Sequence, residues 1–160
     1  METCSATGPC RRLRGGRWAL RRWRRCVSMK GSFTYLDSSA LIKLVVAEPQ
    51  TPALRRYLAQ RKRRITSGLA RTEVQRAAAR VSPAHLGLAR RLLADLEVIE
   101  LDRVLLDRAG DLSPAELRSL DAIHVAAALS LGDELADFLT YDLRQAEAAS
   151  PWGLAVSAPA

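Results

Sequence analysis

The feature that most constrains this chain is its repeated change of hydrophobic period. Phe33, Thr34, Tyr35 and Leu36 form a strand-like run, Asp37 follows as a bare carboxylate, and Ala40, Leu41, Leu44 and Val45 then recur at helical spacing until Pro49. The same alternation continues. A helix is expected over about Pro52 to Gln60, then the basic run RKRR (61–64), a short strand at Ile65 and Thr66, and a helix opened by Ser67 and Gly68 with a core stripe of Val74, Ala77, Ala78 and Val81. Ser82 and Pro83 start another helix. VIEL (98–101) reads as a strand, Arg103 to Gly110 as a helix, and LDAIHVAAALSLG as a helix apolar on nearly every side, hence one buried within the domain. FLTY (138–141) is a strand, Leu143 to Ala149 a helix, and Leu154 to Val156 a last short strand. Strands separated by helices predict an α/β sandwich, a mostly parallel central sheet covered on both faces.

The net charge of +8 suggests a polyanion partner until it is located. Met1 to Lys30 holds nine Lys or Arg and one acid, Glu2, which accounts for all of it; residues 31–160 carry sixteen bases and sixteen acids. The high pI therefore says nothing about what the folding part binds. Cys4, Cys10 and Cys26 also lie in the first 30 residues, at spacings that match no zinc pattern. A cysteine-free domain over 31–160 fits a reducing cytoplasm, and no apolar run approaches the ~18 residues of a membrane span. Residues 1–30 read either as a disordered basic arm touching nucleic acid or as sequence upstream of a true start at Met29. The second is favoured because MKGSFTYLD enters a strand at once.

No Gly-rich phosphate loop is present, so the chemistry must lie elsewhere. In an open α/β sheet, ligands bind beyond the carboxyl ends of the strands, where Asp37 sits. Its bland role is a helix N-cap, yet Ser38 and Ser39 would cap as well. Glu73 borders the stripe of its helix, and its bland role is a surface pair with Arg76. Asp121 opens an otherwise apolar helix, where backbone N–H groups favour an acid, with His124 one turn on as a satisfying partner. Asp142 follows FLTY and makes a capping-box pattern with Gln145. Singly each is weak. Jointly, two follow strands and two lie on helices starting from the same sheet edge, and four carboxylates sharing a cleft repel one another unless a cation is present. Hard oxygen donors without a Cys or His cluster point to Mg²⁺ or Mn²⁺.

YLDSSALIKLVVAEP, SGLARTEVQRA, LRSLDAIHVAAAL and FLTYDLRQAEAA resemble, in order and spacing, the PIN-domain ribonucleases, and most closely the VapC toxins of bacterial toxin–antitoxin pairs. The resemblance covers about Tyr35 to Ala149. It implies a PIN-like three-layer α/β/α sandwich over 31–160, with Asp37, Glu73, Asp121 and Asp142 as the four acids of a catalytic site. Metal, Mg²⁺ or Mn²⁺, would be held chiefly by Asp37 and Asp121, and Ser39 would lie beside it. It further implies hydrolysis of RNA, often a tRNA or rRNA loop, silencing by a small antitoxin, and a homodimer. The leader is a departure from the family's pattern. Arg55, Arg56 and Arg61 to Arg64 are candidates for phosphate contacts, or else a solvated basic loop.

Other classes fit less well. Phosphatases that form an aspartyl-phosphate want a second Asp two residues after the first, where this chain has Ser39. A receiver-type domain needs a lysine after its last strand, and after Lys30 only Lys43 and Lys62 occur. A non-catalytic RNA-binding module of the same fold is the alternative; it would not depend on divalent metal.

Overall fold

The computed structural model describes residues 31–160, so the leader expected over 1–30 lies outside the described residues. Five strands pair in the order β3-β2-β1-β4-β5, all parallel: β1 (Phe33–Leu36), β2 (Arg63–Ser67), β3 (Glu97–Ile99), β4 (Leu135–Leu139) and β5 (Val156–Ser157). The helices between them are α1 (Ser38–Val45), α2 (Thr51–Ala59), α3 (Gly68–Val81), α4 (Pro83–Ala94), α5 (Arg103–Gly110), α6 (Ser119–Leu129) and α7 (Leu143–Ala149). The expected α/β/α sandwich is what forms.

Side-chain alternation along β1 explains the layers. Leu36 and Leu139 pack with Leu41, Leu54, Leu58, Val74 and Leu93 under α1–α4. Phe33, Tyr35 and Phe138 face the other way, onto Leu105 of α5, Val125 and Ala128 of α6, and Ala149 of α7. All four residues of β1 are buried, as a central parallel strand requires. Short polar side chains start several helices. Asp37 accepts from the Ala40 N–H, Ser82 from His85, Asp102 from Leu105, and Asp142 from Arg144 and Gln145, which satisfies otherwise orphaned donors.

From β1 the chain builds β2 and β3 on one side, then returns to lay β4 and β5 on the other. The order therefore reverses between β1 and β4, and the crevice beyond their carboxyl ends is the place such a fold offers a ligand. Beyond that end the Leu36 carbonyl accepts from the Thr66 hydroxyl at 2.7 Å, and the Asp37 N–H donates to the Leu139 carbonyl at 3.1 Å.

Some boundaries differ from expectation. The stripe of α3 is Ala70, Val74 and Ala78, while Ala77 is half-buried and Val81 is 51% exposed, because the face meeting the core follows a four-residue step. β3 covers Glu97–Ile99 and not 98–101. β4 starts three residues before FLTY and ends at Leu139, where its neighbour β1 also ends, at Leu36. The last strand is Val156–Ser157.

The early start of β4 includes Asp137, a buried acid. Its carboxylate accepts from Thr34 Oγ1 at 2.6 Å and the Tyr57 hydroxyl at 2.5 Å, and lies 3.5 Å from Arg61 Nε. Tyr57 also contacts Ser157 Oγ at 2.9 Å, so one cluster joins β1, α2, β4 and β5. Replacing Asp137 by Ala leaves buried donors without an acceptor and is expected to cost about 2–4 kcal/mol, read as a lower urea midpoint. A shift worth less than about 0.5 kcal/mol would assign the cluster no structural weight.

Candidate active site

The four acids singled out in the sequence stand on the carboxyl edge of the sheet. Asp37 follows β1, Asp142 lies three residues past β4, Glu73 is in the second turn of α3 after β2, and Asp121 is in the first turn of α6.

Asp37 is 3% exposed. Its Oδ1 accepts from the Ser39 hydroxyl at 2.8 Å and the Ala40 N–H at 2.9 Å, and its Oδ2 from the Thr140 hydroxyl at 2.9 Å. Burial pushes its carboxyl up, and the Ala40 N–H, the nearby His124 and the two hydroxyls only partly oppose this. The same hydroxyls hold the loop after β4: Thr140 Oγ1 accepts from the Asp142 N–H at 3.0 Å, and Ser39 Oγ from the Tyr141 N–H at 2.8 Å. Asp37 is thus both the N-cap of α1 and the anchor of the segment that carries Asp142.

Glu73 does not pair with Arg76. Its Oε2 accepts from the Ser38 hydroxyl and lies 2.9 Å from His124 Nε2. Burial alone would raise this carboxyl, but the hydrogen bonds from His124 and Ser38 outweigh it and hold it low. His124, expected to serve Asp121, is instead the buried hub of this cluster; its Nδ1 is 2.8 Å from the Tyr35 hydroxyl and 3.4 Å from Ser67 Oγ. Burial pushes the Tyr35 phenol far up, so it remains a donor. The Nε2 side of the ring faces a carboxylate, which can only accept.

Asp121 is half-buried, and among the described residues its carboxylate accepts no hydrogen bond. Burial raises it first and the charge of Asp142 next, while Arg118 and His124 pull it down and Glu73 pushes it up. Asp142 caps α7 through Oδ1, at 2.9 Å from the Arg144 N–H and 3.2 Å from that of Gln145. Glu73 and Asp142 are therefore each held by one oxygen, with Glu73 Oε1 and Asp142 Oδ2 left open.

The donor chemistry suits a hard divalent cation in one respect and limits it in another. Burial raises Asp37, and burial with the charges of Asp142 and Glu73 raises Asp121, the situation a cation relieves. Among the described residues, however, no three His, Cys, Asp or Glu side chains are placed to hold a metal together. At most one or two carboxylates are then available to an ion, which suits a hard divalent cation that keeps much of its water.

Sequence reasoning passes over Tyr35 and Ser38 as members of the site. A hydroxyl-tipped ring inside the otherwise apolar run of β1 is the available signal for Tyr35.

A family model described as PIN domain matches residues 34–151. Ribonuclease VapC46 of Mycobacterium tuberculosis (strain ATCC 25618 / H37Rv) is 50% identical over 125 residues, covering 78% of this chain and 96% of that protein. Ribonuclease VapC47 of Mycobacterium tuberculosis (strain CDC 1551 / Oshkosh) is 40% identical over 130 residues, with the same coverage of 78% and 96%. Among solved structures, Mycobacterium tuberculosis VapC20, described as a sarcin-ricin loop cleaving toxin, superposes with a TM-score of 0.60 at 18% identity over 76% of this chain and 95% of that one. DNA-bound VapBC from Salmonella typhimurium gives 0.62 at 19% identity, over 78% and 96%. The chain therefore belongs to the PIN-domain family, and its sequence groups it with the VapC ribonucleases within that family. No helix of the described residues is long and apolar enough to cross a membrane.

The raised carboxyl of Asp37 has a consequence for stability. A folded-state pKa above the unfolded value (about 3.9) means that the fold binds the proton more tightly. The contribution of Asp37 is then most favourable below that value and is lost as pH rises through the folded pKa. In chelator, Asp37→Asn, which mimics the protonated group, is expected to be more stable than the parent at pH 7, with the gap closing toward pH 4. Denaturant titrations at both pH values check this; a variant less stable at pH 7 contradicts it.

Proposed function

We propose that this chain is a VapC-type endoribonuclease, the toxin of a toxin–antitoxin pair, that hydrolyses RNA phosphodiester bonds with a divalent cation, Mg²⁺ or Mn²⁺. The observation that carries the reading is the pair Asp37 and Asp121 at the sheet's carboxyl edge, both pushed up by burial, with Asp142 raising Asp121 further. A buried carboxylate is costly without a compensating positive charge, and a ribonuclease of this family gives that cost a purpose.

Asp37 and Asp121 are the residues that would hold the ion. When bound, such a cation supplies a lowered pKa for water and positive charge to offset the leaving oxygen. The protein's own groups do the rest. Glu73 is fixed by Ser38 and His124 through Oε2, and its open Oε1 is an acceptor able to orient a water molecule. Held low, it remains a carboxylate at neutral pH and makes a poor proton store. Asp142 presents Oδ2 in the same way. No side-chain nucleophile is required.

Residues 31–160 form the catalytic domain in this reading, acting in the cytoplasm as a homodimer. A small antitoxin silences it; solved structures of similar fold include VapBC2 from Rickettsia felis and a toxin–antitoxin complex from Klebsiella pneumoniae. The RNA is a structured tRNA or rRNA loop.

The test is incubation of the purified chain with total RNA, with and without EDTA, beside Asp37→Asn and Asp121→Asn. Each substitution should lower cleavage more than about 100-fold, beyond the 10–100-fold loss typical of groups that only orient a ligand. Folding should persist, because core volume is kept. Cutting by either variant at the parent rate would make the assignment wrong, and RNA bound intact whether or not metal is present would favour the non-catalytic module.

A further inference from the structure

RNA must approach four carboxylates, so positive charge has to stand close to them. The basic run that the sequence offers does not. Arg63 and Arg64 begin β2, and Arg63 pairs with Phe33, four residues before Asp37 and so about 13 Å from the acidic edge at ~3.3 Å per residue. These guanidinium groups are also engaged. Arg61 lies 3.4 Å over the Tyr57 ring and 3.5 Å from Asp137, Arg63 lies 3.6 Å over the Phe33 ring, and Arg64 donates to the carbonyls of Arg61 at 3.0 Å and Leu58 at 2.8 Å.

Two other arginines, 26 positions apart in the chain, meet at the site. Arg118 is the residue before α6, three positions ahead of Asp121; Arg144 is in the first turn of α7, two after Asp142. Both are exposed, and both line one open groove of about 350 Å³ with Tyr141, Asp142 and Leu143. Neither guanidinium has an ion pair or hydrogen bond to another described residue, yet Arg118 is near enough for its charge to act on Asp121. Tyr141 gives the groove a fixed wall, its hydroxyl 2.7 Å from the Pro159 carbonyl and Lys43 Nζ 4.8 Å over its ring.

We infer that Arg118 and Arg144 form a phosphate-binding rim of the catalytic cleft, gripping backbone phosphates of a single RNA strand next to the bond that is cut. The inference rests on the ribonuclease reading and deepens it. A guanidinium presents a fork of donors that matches two phosphate oxygens, and an unengaged one beside an acidic cleft can take a polyanion without first breaking a bond within the protein. The rim also places cations on the α6–α7 side of the cleft, where they offset the repulsion of Asp121 and Asp142 toward the incoming strand.

The test measures binding of a single-stranded uridine oligomer of about 12 nucleotides, within the site sizes usual for such grooves, to the full chain in chelator so that the RNA stays whole. Salt is varied from about 50 to 200 mM. Arg118→Ala with Arg144→Ala should weaken binding at least about tenfold at low salt and reduce the slope of log affinity against log salt by about 1.4, or about 0.7 for each phosphate no longer neutralised. In metal, the KM for cleavage should rise while kcat stays within about threefold, the signature of weakened substrate binding. Arg118→Lys with Arg144→Lys keeps the charge and removes the fork, so it should keep the slope while binding more weakly. Circular dichroism of each variant checks the fold. The parental slope in Arg118→Ala with Arg144→Ala, or a larger effect from Arg55→Ala with Arg56→Ala, overturns the rim, as does a parent that does not bind the oligomer. A parent that binds with these effects but cuts no RNA in any metal sinks the ribonuclease reading alone.

Discussion

Asp37 is the constraint from which the rest follows. A carboxylate almost wholly buried at the end of β1 is opposed by its surroundings, and the fold keeps it by aiming donors at both oxygens. Those donors come from α1 and from the loop after β4, so the acid that needs them also fixes where that loop runs. Ser39 and Thr140 each turn a second hydrogen-bonding capacity to the backbone of Tyr141 and Asp142. Positioning of Asp142 is in this sense a by-product of satisfying Asp37.

Parallel topology does the gathering. With β1 central and β2 and β4 on its two sides, every segment that leaves a strand leaves by the same edge. Glu73 and Asp142 come to Asp37 because β2 and β4 flank β1, and Asp121 comes because α6 packs across β1 and β4 through Val125 and Ala128. His124 then ties this set together from below. It reaches Tyr35 of β1, Ser67 at the end of β2, Ser38 of α1 and Glu73 of α3, and so couples the two helical layers through the sheet. One oxygen of Glu73 is used in that coupling and the other is left open.

Much of this is legible in the chain because the signals are local. FTYL followed by an acid and a helical period locates β1, Asp37 and α1 almost to the residue, and the four acids can be named because each stands at an element boundary. What is not legible depends on partners far away in sequence. The strand expected to start at Phe138 begins earlier because Asp137, an acid inside β4, is satisfied by Thr34, 103 positions earlier, and Tyr57, 80 earlier. His124 reads as a partner of Asp121 because that acid lies on the same helix, whereas its true partner Glu73 is 51 residues away. The basic run misleads in the opposite sense: four adjacent charges look like one surface, but three of them are absorbed by separate local interactions. Arg118 and Arg144 make no run, and only the fold brings them into one groove.

Asp37 and Asp121 are proposed to share a divalent cation. A crystal of the metal-loaded protein, with Mn²⁺ located by its anomalous scattering, tests it directly. One strong peak is expected, bonded to both carboxylates, its remaining positions filled by water. A peak elsewhere on the surface, or none between these two side chains at saturating Mn²⁺, would contradict it.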